Sequence, residues 1–429
     1  MSGELSMMAG NDMTQADFLS RCERSGYLLV LVPSSYLGGV FRSQVVAGLS
    51  QRLPGVRLIA VDDVLFASNS VPDGFDQVIP TAQLKEPCHA GKPAVNCAYS
   101  LPTWLTLDHL AKTAQCITLD LPELLYLLDI PLVYQTGALT RELAMQHHAE
   151  FVSLRERLAD ERSRKTLEAI MRLRLDGNRA ALLDVLCPGE QEYFSLYRGP
   201  EHPIVLRSDE HYVDIGAYDG DTVKKFMLAA RHEYASIHAF EPDPANYRLM
   251  HASLAGSVGL HLHNQAVSDT GGHLAFAAHG TMGSRVEIDG TVQVPCVRLD
   301  DVLDVMTLLK MDVEGHEARV LRGAARLIDE CRPRMAITCY HHVQDLLDIV
   351  AAIDGIAAGP GCACAITRCI STTRYSMSTG RMLFVKGADA LVGADAPPRG
   401  VETGSGDTKG HGPALPITMR CTNYSGMAQ

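Results

Sequence analysis

Asp312, Glu314, His316 and Glu317 fall within six residues of the stretch "LLKMDVEGHEARVLRGAARLI" (308–328), where an apolar strand runs into an amphipathic helix. Carboxylates and an imidazole at the end of a buried strand are the groups that hold and move protons. Histidine has the intrinsic pKa for that work near neutral pH. Asp312 or Glu314 can orient His316, or take the proton directly. These three are the candidate catalytic residues, whereas Glu317 reads as a first-turn acid that complements the helix dipole. The plainer alternative is a capped helix with solvated carboxylates. Asp312, Glu314 and a histidine also have the types to hold a divalent cation, but no full octahedral set is legible, so no metal is assigned.

A second set begins at "YVDIGAYDGDT" (212–222), which reads as strand, turn and helix. Gly216 lets the backbone approach a ligand, and Gly220 lets the helix start close to the sheet. The spacing is GxxxG, with neither the Gly-Lys-Ser/Thr of a phosphate loop nor the GxGxxG of a dinucleotide site. Asp214, Asp219 and Asp221 surround the turn and would repel a pyrophosphate. They suit a ligand with positive charge, such as the sulfonium and ammonium of S-adenosylmethionine. The next strand, "ASIHAFEPD", ends in Glu241, placed to accept both hydroxyls of a ribose, and Pro242 then turns the chain out of the sheet. The third strand, "LHLHNQAVSD", ends with small residues, Ala266 and Val267 among them, and Ser268–Asp269, a floor and edge for an adenine. The cofactor-binding set is therefore Asp214, Gly216, Ala217, Gly220, Asp221, Glu241, Pro242, Ala266, Val267 and Asp312. "CYHHVQDLL" (339–347) ends a fifth strand on the same rim, and Tyr340, His341 and His342 are candidates for the acceptor pocket.

The elements that must position these groups alternate between strand and helix. From "YLLVLV" (27–32) through "VFRSQVVAGLSQRL" to "VRLIAVDD" the pattern is a βαβ unit whose first turn carries only Gly38 and Gly39. The expected organisation is a flexible lead (1–25), a Rossmann-like α/β domain of unassigned role (26–138), a helical connector (139–190), a catalytic domain (191–387) and a disordered tail (388–429). The tail is Gly-, Pro- and polar-rich. A chain of 429 residues fits two domains with tails. The formal charge of -12 argues against a phosphate-tracking nucleic-acid binder. "LDLPELLYLLDIPLVY" carries three acids and two prolines, so it reads as core and not as a membrane span. Twelve cysteines without a regular frame, and no visible secretory start, fit a reducing cytoplasm. "CACAITRC" reads as strand cysteines, not a zinc site.

Together "VDIGAYDGDT", "FEPDPANY", "QAVSD", "LKMDVEGHEARVLRGA" and "YHHVQDLLDI" resemble the FkbM family of S-adenosylmethionine-dependent methyltransferases, over about 191 to 387. The resemblance implies a class I methyltransferase fold, mostly parallel, closed by an antiparallel last hairpin ("CAITRCIST" and "RMLFVKG"). It also implies methyl transfer to a hydroxyl, often on a sugar or a polyketide, in which alignment and removal of the acceptor's proton are the enzyme's main tasks. From their position, Tyr193 and Phe194 are expected to cover the cofactor. Other classes remain open: a nucleotide-sugar or dinucleotide binding protein working through the N-terminal βαβ unit, or an inactive methyltransferase-fold assembly module.

Overall fold

Two largely parallel sheets, each buried on both faces, organise the chain in a computed structural model. It describes residues 15–34, 45–98, 101–129, 138–187, 192–194, 204–277 and 292–356, apart from positions 159, 178 and 340, together with the strand residues 285–286, 364–365, 368–369 and 381–384. The Gly38–Gly39 turn, Tyr340, Cys362 and the segment 388–429 lie outside the described residues.

The first sheet contains β1 (Tyr27–Leu31), β2 (Arg57–Val61), β3 (Gln77–Ile79), β4 (Pro93–Asn96) and β5 (Ile117–Asp120) in the order β3-β2-β1-β4-β5, all parallel. Its strands are continuous apolar runs because helices cover both faces; Leu28 and Val30 pack into one core and Leu29 and Leu31 into the other. Asp62 and Asp120 end their strands and cap the helices that follow, Asp120 in a capping box with Glu123.

Helices Ala138–Gln146, His148–Arg157 and Glu161–Asp176 follow. The last starts at the Asp160 cap and stops at Gly177, whose φ of 73° closes it in the left-handed conformation. Their charged faces are largely solvated, but Phe151, Leu154, Leu167 and Met171 enter the core beneath the second sheet.

After β6 (Leu186–Cys187), the second sheet takes β7 (His211–Ile215), β8 (Ser236–Phe240), β9 (Leu260–His263), β14 (Leu308–Met311), β15 (Arg334–Thr338), β16 (Cys364–Ala365) and β18 (Arg381–Phe384). The order is β16-β18-β15-β14-β7-β8-β9, with β18 antiparallel to both neighbours. β17 (Arg368–Cys369) pairs with β6 instead. The expected third strand is two pieces. β9 ends at His263, and β10 (Ala266–Val267) belongs to a separate four-stranded sheet with β11 (Gly272–Ala277), β12 (Arg285–Val286) and β13 (Val292–Val297). Asn264 makes the break: its Nδ2 donates to the carbonyls of Glu241 and Pro242, at 2.8 and 3.2 Å.

Register fixes the site. Met311 lies opposite both Ile215 and Ile337, so Gly216, Asp312 and Thr338 emerge side by side at the carboxyl ends of three adjacent strands.

Candidate active site

Lys310 and Asp214 are cross-strand partners on one face of β14 and β7, which places them 2.9 Å apart and out of contact with water. The Tyr212 hydroxyl donates to the other Asp214 oxygen at 2.9 Å, and Lys310 Nζ also donates to the Gly216 carbonyl at 2.7 Å. Burial pulls the ammonium down, but Asp214 and Asp312 outweigh it and Lys310 ends above its ordinary value. Asp214 thus lies under the glycine turn as half of a buried ion pair, not on an open negative rim.

Gly216 and Ala217 donate their N–H groups to the Phe240 carbonyl at 3.0 and 3.1 Å, and Gly216 has a φ of 73°. A Cβ there would lie 1.9 Å from the Asp312 carbonyl oxygen. At Gly220 (φ 84°) it would lie 2.6 Å from Leu254 of helix Pro244–Leu254. Both glycines are therefore demanded by the protein's own backbone and neighbouring helix, where the sequence suggested ligand approach and helix–sheet contact. Asp221 opens helix Asp221–Ala229, and its Oδ1 accepts from Thr222 N at 2.6 Å.

Glu241 sits at the end of β8, buried. Its oxygens accept from Tyr218 N and Asp243 N, each at 2.9 Å. Burial pushes its carboxyl up to about 7, against the pull of those two N–H groups. Pro242 beside it is half-buried. Ala266 and Val267 are buried in the small sheet. The acid that follows them, Asp269, is engaged by Arg319 and Arg322, and the Arg319 guanidinium holds it down at about 2.

The acid–histidine cluster forms around a different ring from the one the sequence singled out. His316 caps helix Glu317–Arg322, and its Nε2 is 2.9 Å from Ser268 Oγ, on the Asp269 side. Burial, with help from Arg319, lowers its pKa. The ring beside Asp312 and Glu314 is His341, whose Nε2 is 3.5 Å from Asp312 Oδ1 and 3.3 Å from Glu314 Oε2. Its Nδ1 is 3.4 Å from Glu317 Oε1 and 4.0 Å from Asp345 Oδ2. Burial opposes its charge, but Glu314 and Glu317 more than compensate and raise it well above its ordinary value. The expected pairing of His316 with Asp312 or Glu314 is thus replaced. "CYHH" carries two adjacent histidines, and only the fold decides which turns inward. His342 is more exposed and pairs with Asp345 at 3.1 Å.

Glu317 was missed as a site residue. It opens the helix as the expected first-turn acid, but it is 1% exposed and accepts from Val313 N at 3.1 Å, so it also belongs to the buried cluster. Its signal was position: it follows Asp312, just past the strand end, by five residues. Glu314 (φ 55°) and Gly315 (φ 93°) make the tight turn that brings Asp312 and Glu317 to the same ring, a left-handed pair of the kind concentrated at working sites. Tyr193 closes the rim. Its hydroxyl donates to Asp312 Oδ2 at 3.1 Å, and its ring lies 5.4 Å from Lys310 Nζ. Phe194 packs edge-on against Tyr212 and Phe226, below the rim.

At the first sheet, the corresponding strand ends are filled. Arg179 is ion-paired with Asp120 and donates to the carbonyls of Ala98 and Asn96 at 2.7 and 3.2 Å.

Residues 214–354 match the Methyltransferase FkbM domain. That span contains the glycine turn, Glu241, the Asp312–Glu317 turn and His341. It is a methyltransferase domain of the FkbM family. A crystal structure of a methyltransferase FkbM from Methylobacillus flagellatus KT is 20% identical, with a TM-score of 0.68 over 89% of this chain and 95% of that one. It shows that the fold, including the part outside the FkbM match, is shared. A precorrin-6Y C5,15-methyltransferase from Geobacter metallireducens GS-15 is 15% identical over 44% of this chain and 83% of its own, and its TM-score of 0.27 carries no weight. No curated protein matches the chain. Among the described residues, no helix is long and apolar enough to cross a membrane.

Proposed function

We propose that this FkbM methyltransferase uses S-adenosylmethionine to methylate a hydroxyl of a sugar, a glycan or another small hydroxylated metabolite in the cytoplasm. The observation that carries the reading is the gathering of Asp312, Glu314 and His341 next to the glycine turn of β7. When bound, S-adenosylmethionine supplies a methyl group on a sulfonium. The donor set suits it: Glu241, Asp219, Asp221 and Asp312 surround the turn with acceptors.

Asp214, Gly216, Ala217, Gly220 and Asp221 shape the turn from below and behind. Glu241 and Pro242, with Ala266 and Val267, form the nucleoside end. Asp312 is shared between the two halves. Asp312 and Glu314 receive the acceptor and its proton, and the ring of His341 holds them in place, a position read for His316 from the sequence alone. Glu317 holds that ring from behind, and Tyr193 excludes water above Lys310. The buried thiols of Cys22, Cys97, Cys296 and Cys339 fit a reducing compartment.

The test is incubation of metabolite extracts with the enzyme and a trideuteromethyl donor, read by mass spectrometry. A product heavier by one labelled methyl on oxygen is expected. Label on nitrogen or carbon alone, or none, refutes the hydroxyl reading.

A further inference from the structure

The arrangement around His341 has a property that proton transfer alone does not require. Asp312, Glu314, Glu317 and Asp345 all lie within 4.0 Å of this one ring, four carboxylates gathered on one imidazole. The four acids divide into two pairs, one on each ring nitrogen. Asp312 and Glu314 face Nε2, whereas Glu317 and Asp345 face Nδ1.

We propose that Asp312, Glu314 and His341 Nε2 bind a divalent cation of the magnesium or manganese class. Cis ligands of an octahedral ion with bonds of about 2.1 Å lie about 3 Å apart. The measured 3.3 and 3.5 Å edges from Nε2 are a little wider, as expected of ligands before they close on an ion. All three ligand atoms lie within 4.8 Å of one another. Two carboxylate oxygens with one imidazole and no thiol favour such an ion over zinc.

An independent observation concerns the other side of the ring. Metal-bound histidines ordinarily donate their second N–H to a carboxylate, which fixes the tautomer. Glu317 occupies that place, its Oε1 3.4 Å from Nδ1, almost wholly buried and anchored by Val313 N. Asp312 is aimed in the same way, since Tyr193 holds Oδ2 while Oδ1 faces His341 and accepts from Thr338 Oγ1 at 3.1 Å. Three coordination positions then remain for water or for an acceptor that offers two neighbouring oxygens. The inference rests on the functional reading only for that acceptor; the ion site itself stands on geometry.

Titration of the full-length, EDTA-stripped protein with Mn2+, followed by electron paramagnetic resonance, tests the proposal. One saturable site is expected, in the micromolar range (about 10⁻⁶–10⁻⁴ M). Glu314→Gln and His341→Gln should each weaken it at least about tenfold, and Glu317→Gln by about 10–100-fold through loss of the ring's support. His316→Gln should leave it unchanged. Glu314 is part-exposed, so its variant should fold, and circular dichroism checks the others. Absence of saturation by about 1 mM, or a site indifferent to both Glu314→Gln and His341→Gln, overturns the proposal. Methyl transfer by stripped enzyme that shows no Mn2+ site would sink the ion and leave the methyltransferase reading standing. Mn2+ binding without any transfer would do the reverse.

Discussion

At the scale of single residues, the two histidines of the site now have separable roles. His341→Asn is expected to lower kcat about a hundredfold by releasing the two carboxylates that take the proton, with cofactor affinity nearly unchanged. His316→Ala breaks a hydrogen bond to Ser268 and should cost stability of about 1 kcal/mol with turnover largely kept. Equal loss in both variants would return the base to His316. Glu241→Ala should weaken S-adenosylmethionine binding at least about tenfold, as loss of one charged hydrogen bond to a ribose would, and calorimetry reads this directly. Glu241 also sets a pH dependence. Its carboxyl is raised from 4.5 to about 7 in the fold, so the folded chain keeps a proton that the unfolded chain has released. Its contribution to stability is greatest below about 4.5, falls as pH climbs toward 7 and is flat above. The fall in Tm across that window should be shallower in Glu241→Gln.

At the scale of elements, the glycine turn and the strand pattern were legible because each leaves a local mark. Parallel strands buried on both faces must be continuous apolar runs, and the turn at Gly216 needs a residue that tolerates positive φ. What was not legible was contact between elements distant in sequence. Nothing near Asp214 announces Lys310, which reaches it only because β14 inserts beside β7. Nothing within "LHLHNQAVSD" shows that Asn264 will bond back to Glu241 and Pro242 and divide the strand. The same ignorance misread why residue 216 is glycine. Gly216→Ala should drive a methyl group into the Asp312 carbonyl, costing about 2–4 kcal/mol from overpacking and left-handed strain together. A drop in Tm with loss of both cofactor binding and turnover is the expected result. A stable, active variant would show that the two strand ends move apart freely.

At the scale of the whole molecule, the three helices between the sheets were legible as helices but not as core. Their apolar spacing showed a buried face, yet only the fold shows that this face lies under β7 and β14. Arg179 illustrates the limit. In the sequence it is one arginine after a helix, and in the structure it is buried against Asp120, Asn96 and Ala98. Arg179→Met removes the charged partner of Asp120 and leaves it the neutral donors Trp104 Nε1 and Leu121 N, so a loss of about 3 kcal/mol is expected, read as early melting of the 26–138 region. Asp120→Asn paired with Arg179→Met should recover part of it; no recovery would mean that Arg179 acts through its carbonyl contacts alone. The carbonyl of Asp312 standing where a side chain on Gly216 would be has a wider bearing. The methyl-donor wall and the acceptor wall mesh like two teeth of one gear, leaving no slack with which to retune either alone. New acceptor preferences in this lineage should therefore arise by exchange of peripheral loops, and transplanting the Asp312–Glu317 turn should succeed only when the opposing glycine segment travels with it.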